Sequence, residues 1–182
     1  MSKRIAIIGG PGTGKTAVIN RLEDSGYRCL HEVSREVIQQ AQKEGVDQLF
    51  LENPILFSEL LLKGRIAQFE SIATFTDPFL FYDRGIQDVV AYLHYIQQDF
   101  PAYFDEACKK YRYDMIFILP PWKSIYISDN ERYENFEQAE KIYRYLSRTY
   151  YHYGFQPVEV PKTTIAQRAD FILKKVIESE KT

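Results

Sequence analysis

The chain has 182 residues, a length that fits one domain with a sizeable core. Its hydrophobic share is 45%, its charged share 26% and its formal net charge −2, so it has no overall basic field to attract nucleic acid or anionic lipid. Cys29 and Cys108 form neither a disulfide framework nor a metal spacing, and no apolar run approaches the roughly 18 residues of a membrane span, so a cytoplasmic location is expected.

Residues 4–8 read as a strand, apolar on both faces as a central parallel strand is, and too short for a secretion signal. A helix is expected over about 15–24, ended by Ser25-Gly26. Residues 27–31 make a weaker strand and 34–43 a helix. Asn53-Pro54 is a helix start, with Asn as cap and Pro in the first position. The helix it opens carries Leu56, Leu60, Ile66, Phe69 and Ala73 and is expected to run toward Thr74. A third strand at 79–82 ends in Asp83-Arg84-Gly85, and helices follow at about 87–97 and from Pro101 to near Tyr111. Residues 115–119 are a fourth strand, stopped by Pro120-Pro121. Residues 121–135 are polar and irregular, and helix resumes over about 136–151. A fifth strand spans 157–160, and Ile165, Ala169, Ile172 and Val176 mark a closing amphipathic helix. Short β-rich runs alternating with helices indicate a single α/β domain, a parallel sheet between two layers of helices.

Between the first strand and first helix lies Gly9-Gly10-Pro11-Gly12-Thr13-Gly14-Lys15-Thr16, which satisfies G-x-x-x-x-G-K-[ST] in the setting that pattern requires. Glycines let successive N–H groups turn toward phosphate oxygens, and the helix start adds its positive end. Lys15 is placed to reach the β- and γ-phosphates, and the Thr16 hydroxyl to ligate Mg²⁺. A nucleoside triphosphate is the expected ligand. The Asn-Lys-x-Asp pattern of a guanine reader is absent, which favours ATP.

Parallel strands end on one rim, where ligands bind. Two acid–arginine groups fall there: Glu32 with Arg35, and Asp83 with Arg84. Phosphoryl transfer needs a group to orient or deprotonate an acceptor and groups to hold the metal-bound nucleotide. Glu32 is either such a base or a helix-entry carboxylate. Asp83 is a metal or water ligand, or a helix cap. Arg35 and Arg84 are acceptor-binding candidates; Arg35 also fits a solvated helix face, and Arg84 a pairing with Glu32 or Asp88.

Gly9–Thr16, then His31-Glu32-Val33-Ser34-Arg35, then Tyr82-Asp83-Arg84-Gly85, then Tyr153-Gly154-Phe155 with Val160-Pro161, resemble a family of small P-loop ATPases of the AAA type. That family is grouped with the ribosylnicotinamide-kinase domain of the NadR regulator and a TRP-channel trafficking protein. The resemblance covers essentially the whole chain. It implies a nucleoside- or nucleotide-kinase-like fold with a five-stranded sheet in the order 2-3-1-4-5. It also implies that Glu32, by position, is the base toward the acceptor hydroxyl. Deoxynucleoside-kinase relatives have serine where this chain has Gly85, so the contacts of that serine do not transfer.

By the same likeness, residues of about 33–75 form the acceptor side, with Arg35, Arg65, Gln68 and Phe69, and about 120–135 a lid over the nucleotide. Gly64, within that helical run, hints at close packing or ligand approach. Arg132, in the loop, is a candidate to reach the transferring phosphate. Arg144 and Arg148, one turn apart, are further candidates, and a solvated basic face with Lys141 is the other reading. The expected function is an ATP-dependent kinase or ATPase acting on a small-molecule acceptor. The alternative is a nucleotide-dependent switch with slow hydrolysis and a protein or lipid partner.

Overall fold

The computed structural model describes residues 2–43, 45–46, 48–71, 76–126 and 135–180. Five strands form one all-parallel sheet: β1 (Lys3–Gly9), β2 (Arg28–Leu30), β3 (Phe79–Asp83), β4 (Met115–Leu119) and β5 (Val158–Glu159). Their order is β2-β3-β1-β4-β5, as the family likeness implies. Eight helices connect them among the described residues: α1 (Lys15–Asp24), α2 (Ser34–Lys43), α3 (Leu49–Glu52), α4 (Pro54–Glu70), α5 (Gln87–Tyr95), α6 (Ala102–Lys110), α7 (Phe136–His152) and α8 (Ile165–Glu178).

Strand residues alternate between two cores, which fixes the three layers. Ile5, Ile7, Phe79, Phe81, Phe117 and Leu119 face Val18, Ile19 and Leu22 of α1 and Ala169, Ile172 and Val176 of α8. Ala6, Ile8, Leu80, Tyr82, Ile116 and Ile118 face the other way, onto α4, α5, α6 and α7. The central strand β1 is buried on both faces and its segment Ile5–Ile8 is wholly inaccessible. None of the described helices is long and apolar enough to cross a membrane.

Local chemistry sets the ends of several elements. Asn53 caps α4 by accepting from Leu56 N at 3.0 Å, with Pro54 in the first turn. Asn135 and Gln138 form a reciprocal capping box at the start of α7. The short helix α3 was not anticipated, because its four residues are too few to show a period. The expected reach of α4 to Thr74 extends into residues 72–75, outside the described residues. Helix α5 ends at Tyr95, two residues early, and Gln97 beyond it has a φ of +57.

Candidate functional site

The parallel register brings the carboxyl ends of β1, β3 and β4 level with one another. Ile7 pairs with Asp83 and Gly9 with Leu119, so Asp83 stands at the root of the phosphate loop. Gly12 and Gly14 in that loop have φ of +69 and +79, left-handed values open to glycine and strained for other residues. Gly14 is also the N-cap of α1, which has no side-chain cap there. Its first N–H groups and the positive end of its dipole are left for an anion. Thr13 is buried and turns its hydroxyl back to Gly10 O at 3.0 Å, which closes the loop on itself.

Lys15 and Asp83 form an ion pair at 2.7 Å, each only 6% exposed. Burial, and then the nearby Arg84 charge, lower the Lys15 pKa, against the pull of Asp83 and Glu32. Thr16, one residue on, is exposed. Mg²⁺ in phosphoryl-transfer sites binds one or two protein oxygens together with the nucleotide phosphates. The Thr16 hydroxyl and the Asp83 carboxylate are hard oxygen donors flanking Lys15 and fit that ion.

Glu32 and Arg84 form the second pair, Nε to Oε1 at 2.5 Å. Arg84 is further engaged by Gly9 O at 3.2 Å, the Tyr92 hydroxyl at 3.5 Å and Asp88 at 3.6 Å. Burial alone would push the Glu32 carboxyl up, but Arg84, then Lys15 and Arg65, with a hydrogen bond from Ser34, bring it down to about 2. Burial opposes the charge on Arg84 in turn, and Glu32 foremost, with Tyr92, Asp88 and Asp83, holds it firmly protonated. Two cations and two carboxylates thus interlock beside the loop. The structure takes Arg84 for pairing with both Glu32 and Asp88, so its expected contact with an acceptor would have to run through that pair.

Other expected residues are placed differently. Arg35 is exposed in the first turn of α2. Arg65 is buried and donates to Gly85 O at 2.8 Å, and Phe69 lies in the core, while Gln68 is half-buried and donates to His31 O at 2.7 Å. Arg144 and Arg148 are exposed on the face of α7 opposite Ala139, Ile142 and Leu146. It is Ala139 and Ile142 that approach Gly10, so both arginines point away from the loop. Arg132 lies outside the described residues.

Sequence reading missed Arg168. Helix α8 carries it under the loop, where it is 5% exposed and donates to Thr13 O at 2.9 Å. Its guanidinium lies 5.9 Å from the ring centre of Trp122 and would crowd a Cβ at Gly14 at 3.0 Å. Burial lowers its pKa. The only signal in the sequence was an arginine one residue from Ala169, on the apolar stripe of an amphipathic helix. Gly85 stands where the resemblance places the serine of deoxynucleoside-kinase relatives, and it has no room for a side chain. A Cβ at Gly85 would lie 2.1 Å from the Tyr150 hydroxyl oxygen.

A family model described as an AAA domain matches residues 4–168. Among solved structures, the chain is similar to deoxyadenosine kinase from M. mycoides with products dCMP and a flexible dCDP bound. Identity is 17% and the TM-score 0.70, over 96% of this chain and 99% of that one. It is also similar to that kinase with bound dATP, at 16% identity and a TM-score of 0.65, over 95% and 98%. The NadR protein in complex with NR aligns at 19% identity and a TM-score of 0.77, over 97% of this chain and 51% of that chain. At these identities the likeness establishes the fold. No curated protein matches the chain.

Proposed function

This chain belongs to the AAA domain family, and from that premise we propose that it is an ATP-dependent phosphotransferase acting on a hydroxyl of a nucleoside- or nucleotide-like acceptor. The observation that carries the reading is the pair of ion pairs, Lys15–Asp83 and Glu32–Arg84, interlocked at the root of the phosphate loop. A protein that only binds nucleotide has use for the first. The second puts an ionised carboxylate, held by a cation, on the acceptor side of the same rim.

Lys15 and the N–H groups at the start of α1 hold the triphosphate tail, with Lys15 shared between Asp83 and the β- and γ-phosphates. Mg²⁺, held by Thr16 and Asp83 with the phosphates, would supply neutralisation of the charge on the transferring group. Glu32, ionised throughout the neutral range, accepts a hydrogen bond from the acceptor hydroxyl and orients its oxygen toward the γ-phosphorus. As the new O–P bond forms and the β–γ bridging bond breaks, the hydroxyl proton passes to Glu32. A low-pKa carboxylate suffices, because the transition state is loose and the nucleophile loses its proton late. Arg84 keeps Glu32 ionised and aimed until that moment. The acceptor side is about 33–75, while the lid expected over about 120–135, with Arg132, falls mostly on residues 127–134, outside the described residues.

The test is a screen of nucleosides, deoxynucleosides and nucleotides with Mg²⁺ and labelled ATP, reading acceptor-dependent ADP release. Glu32→Gln is expected to cut that transfer on the order of 100-fold, with ATP affinity nearly unchanged. ATP binding with slow ADP release that no acceptor stimulates would favour the nucleotide-dependent switch instead.

A further inference from the structure

Arg84 holds a φ of +76, a left-handed conformation that is strained for a non-glycine residue and persists only where its surroundings impose it. Here they do. Arg84 N donates to Ile7 O at 3.0 Å, and Arg65 donates to Gly85 O at 2.8 Å. Gly85 N donates to Asp88 Oδ1 at 3.2 Å and Ile86 N to the Tyr113 hydroxyl at 3.3 Å. Asp88 is fully buried, and its other oxygen, 3.6 Å from Arg84 Nη1, has no hydrogen bond of its own. Tyr150, also fully buried, reaches from the last turn of α7 and donates its hydroxyl to Asp88 Oδ1 at 2.6 Å. Helix capping does not account for this carboxylate, since a cap needs neither a tyrosine donor from another helix nor an arginine opposite.

We propose that Asp88 and Tyr150 are positioning residues for Glu32: Tyr150 orients the Asp88 carboxylate, Asp88 fixes the strained Arg84 turn, and Arg84 sets Glu32. The proposal rests on Glu32 being the group that takes the acceptor's proton. It adds α7 to the machinery, through its buried face rather than its exposed arginines. The groups facing Glu32 are Arg84 from the turn after β3, Lys15 from α1, Arg65 from α4 and the Ser34 hydroxyl from α2. Asp83 and Asp88 in turn face Arg84.

The test reads Glu32 itself, on the full chain without ATP or acceptor, so its outcome is separate from whether an acceptor is found. Glutamate side chains are labelled with ¹³C at the carboxyl and titrated by NMR, the Glu32 resonance being the one lost in Glu32→Gln. Tyr150→Phe changes no charge and keeps the ring. It is expected to raise the Glu32 titration midpoint by about one pH unit, a shift of the size that loosening one ion pair produces. Tyr143→Phe, on the same helix with its hydroxyl on Glu159, is expected to leave that midpoint in place. A Tyr150→Phe protein that loses thermal stability while Glu32 titrates as in the wild type would overturn the proposal and leave Tyr150 as packing. Asp88→Asn gives a second, signed test that stands if Tyr150→Phe does not fold. Acting only as a neighbouring charge, Asp88 raises the Glu32 pKa, so removing it lowers the midpoint. Acting as the positioner, its loss frees Arg84 and the midpoint rises. A fall refutes the assignment.

Discussion

Gly85→Ala isolates the closest contact in the site. A Cβ there would stand 2.1 Å from the Tyr150 hydroxyl oxygen and 3.1 Å from Tyr113 Cε2. The φ of Gly85 is not positive, so alanine suits the backbone and the objection is the contact alone. Neither ring has room to yield, since Tyr150 is 0% and Tyr113 5% exposed. Overpacking of this kind costs about 1–3 kcal/mol. Driving the Tyr150 hydroxyl off Asp88 adds about 1.5–3 kcal/mol for a hydrogen bond to a charged group. The expected loss is about 2.5–6 kcal/mol, a large part of the roughly 5–15 kcal/mol that holds a domain folded. Urea denaturation should show it as a midpoint lowered by about 1–3 M at a mid-range slope of about 2 kcal/mol/M. The double-mutant cycle with Tyr150→Phe is the decisive arm. Without the hydroxyl, the nearest atoms to the new Cβ are Tyr113 Cε2 at 3.1 Å and Cζ of the ring at position 150 at 3.3 Å. Gly85→Ala should then cost under about 1 kcal/mol, a coupling of at least about 1.5 kcal/mol between the sites. Additive losses would refute the steric account of why glycine stands at this position.

Gly64→Ala should also destabilise, by about 1–3 kcal/mol, although alanine is the better helix former by about 1 kcal/mol; its Cβ would sit 2.4 Å from Val33 Cγ1, and adding Val33→Ala should restore most of the loss in thermal melts. Glu32 titrates near 2 in the folded chain against an ordinary value of 4.5, so the unfolded chain takes up its proton first. Its stabilising contribution, at most about 3 kcal/mol, is present above pH 4.5 and lost as pH falls toward 2. Glu32→Gln should flatten the acid limb of stability against pH, and an unchanged slope would argue against the ion pair. Arg168→Met keeps the bulk of the side chain and removes the donor to Thr13 O; it should weaken ADP binding about tenfold, the worth of one charged hydrogen bond, as calorimetry would show.

The phosphate loop, the strand–helix alternation and the two acidic strand ends were legible because each is local. A glycine pattern, an apolar run or a cap declares itself within a few residues. Asn53-Pro54 opens α4 where the sequence places it, and strands β1, β3 and β4 fall where their apolar runs do. The weak edges blurred: β2 and β5 pair with one neighbour each, so fewer of their residues carry a strand signature.

What the chain order determined by itself was which chemistry is present: a triphosphate cradle, a lysine behind it, and a carboxylate after each of two strands. What only the tertiary structure decided was who faces whom. Arg65 and Arg84 look alike as sequence, yet one braces a backbone carbonyl and the other clasps Glu32. Arg144 and Arg148, on a basic face, turn to solvent, while Tyr150 and Arg168, on apolar stripes, reach the site. A side chain's partner depends on the packing angle and register of elements far apart in sequence: Tyr150 meets Asp88 across 62 positions and Arg168 meets Thr13 across 155. Periodicity within one helix sorts faces into apolar and polar, and carries no record of what the opposing helix brings to meet them.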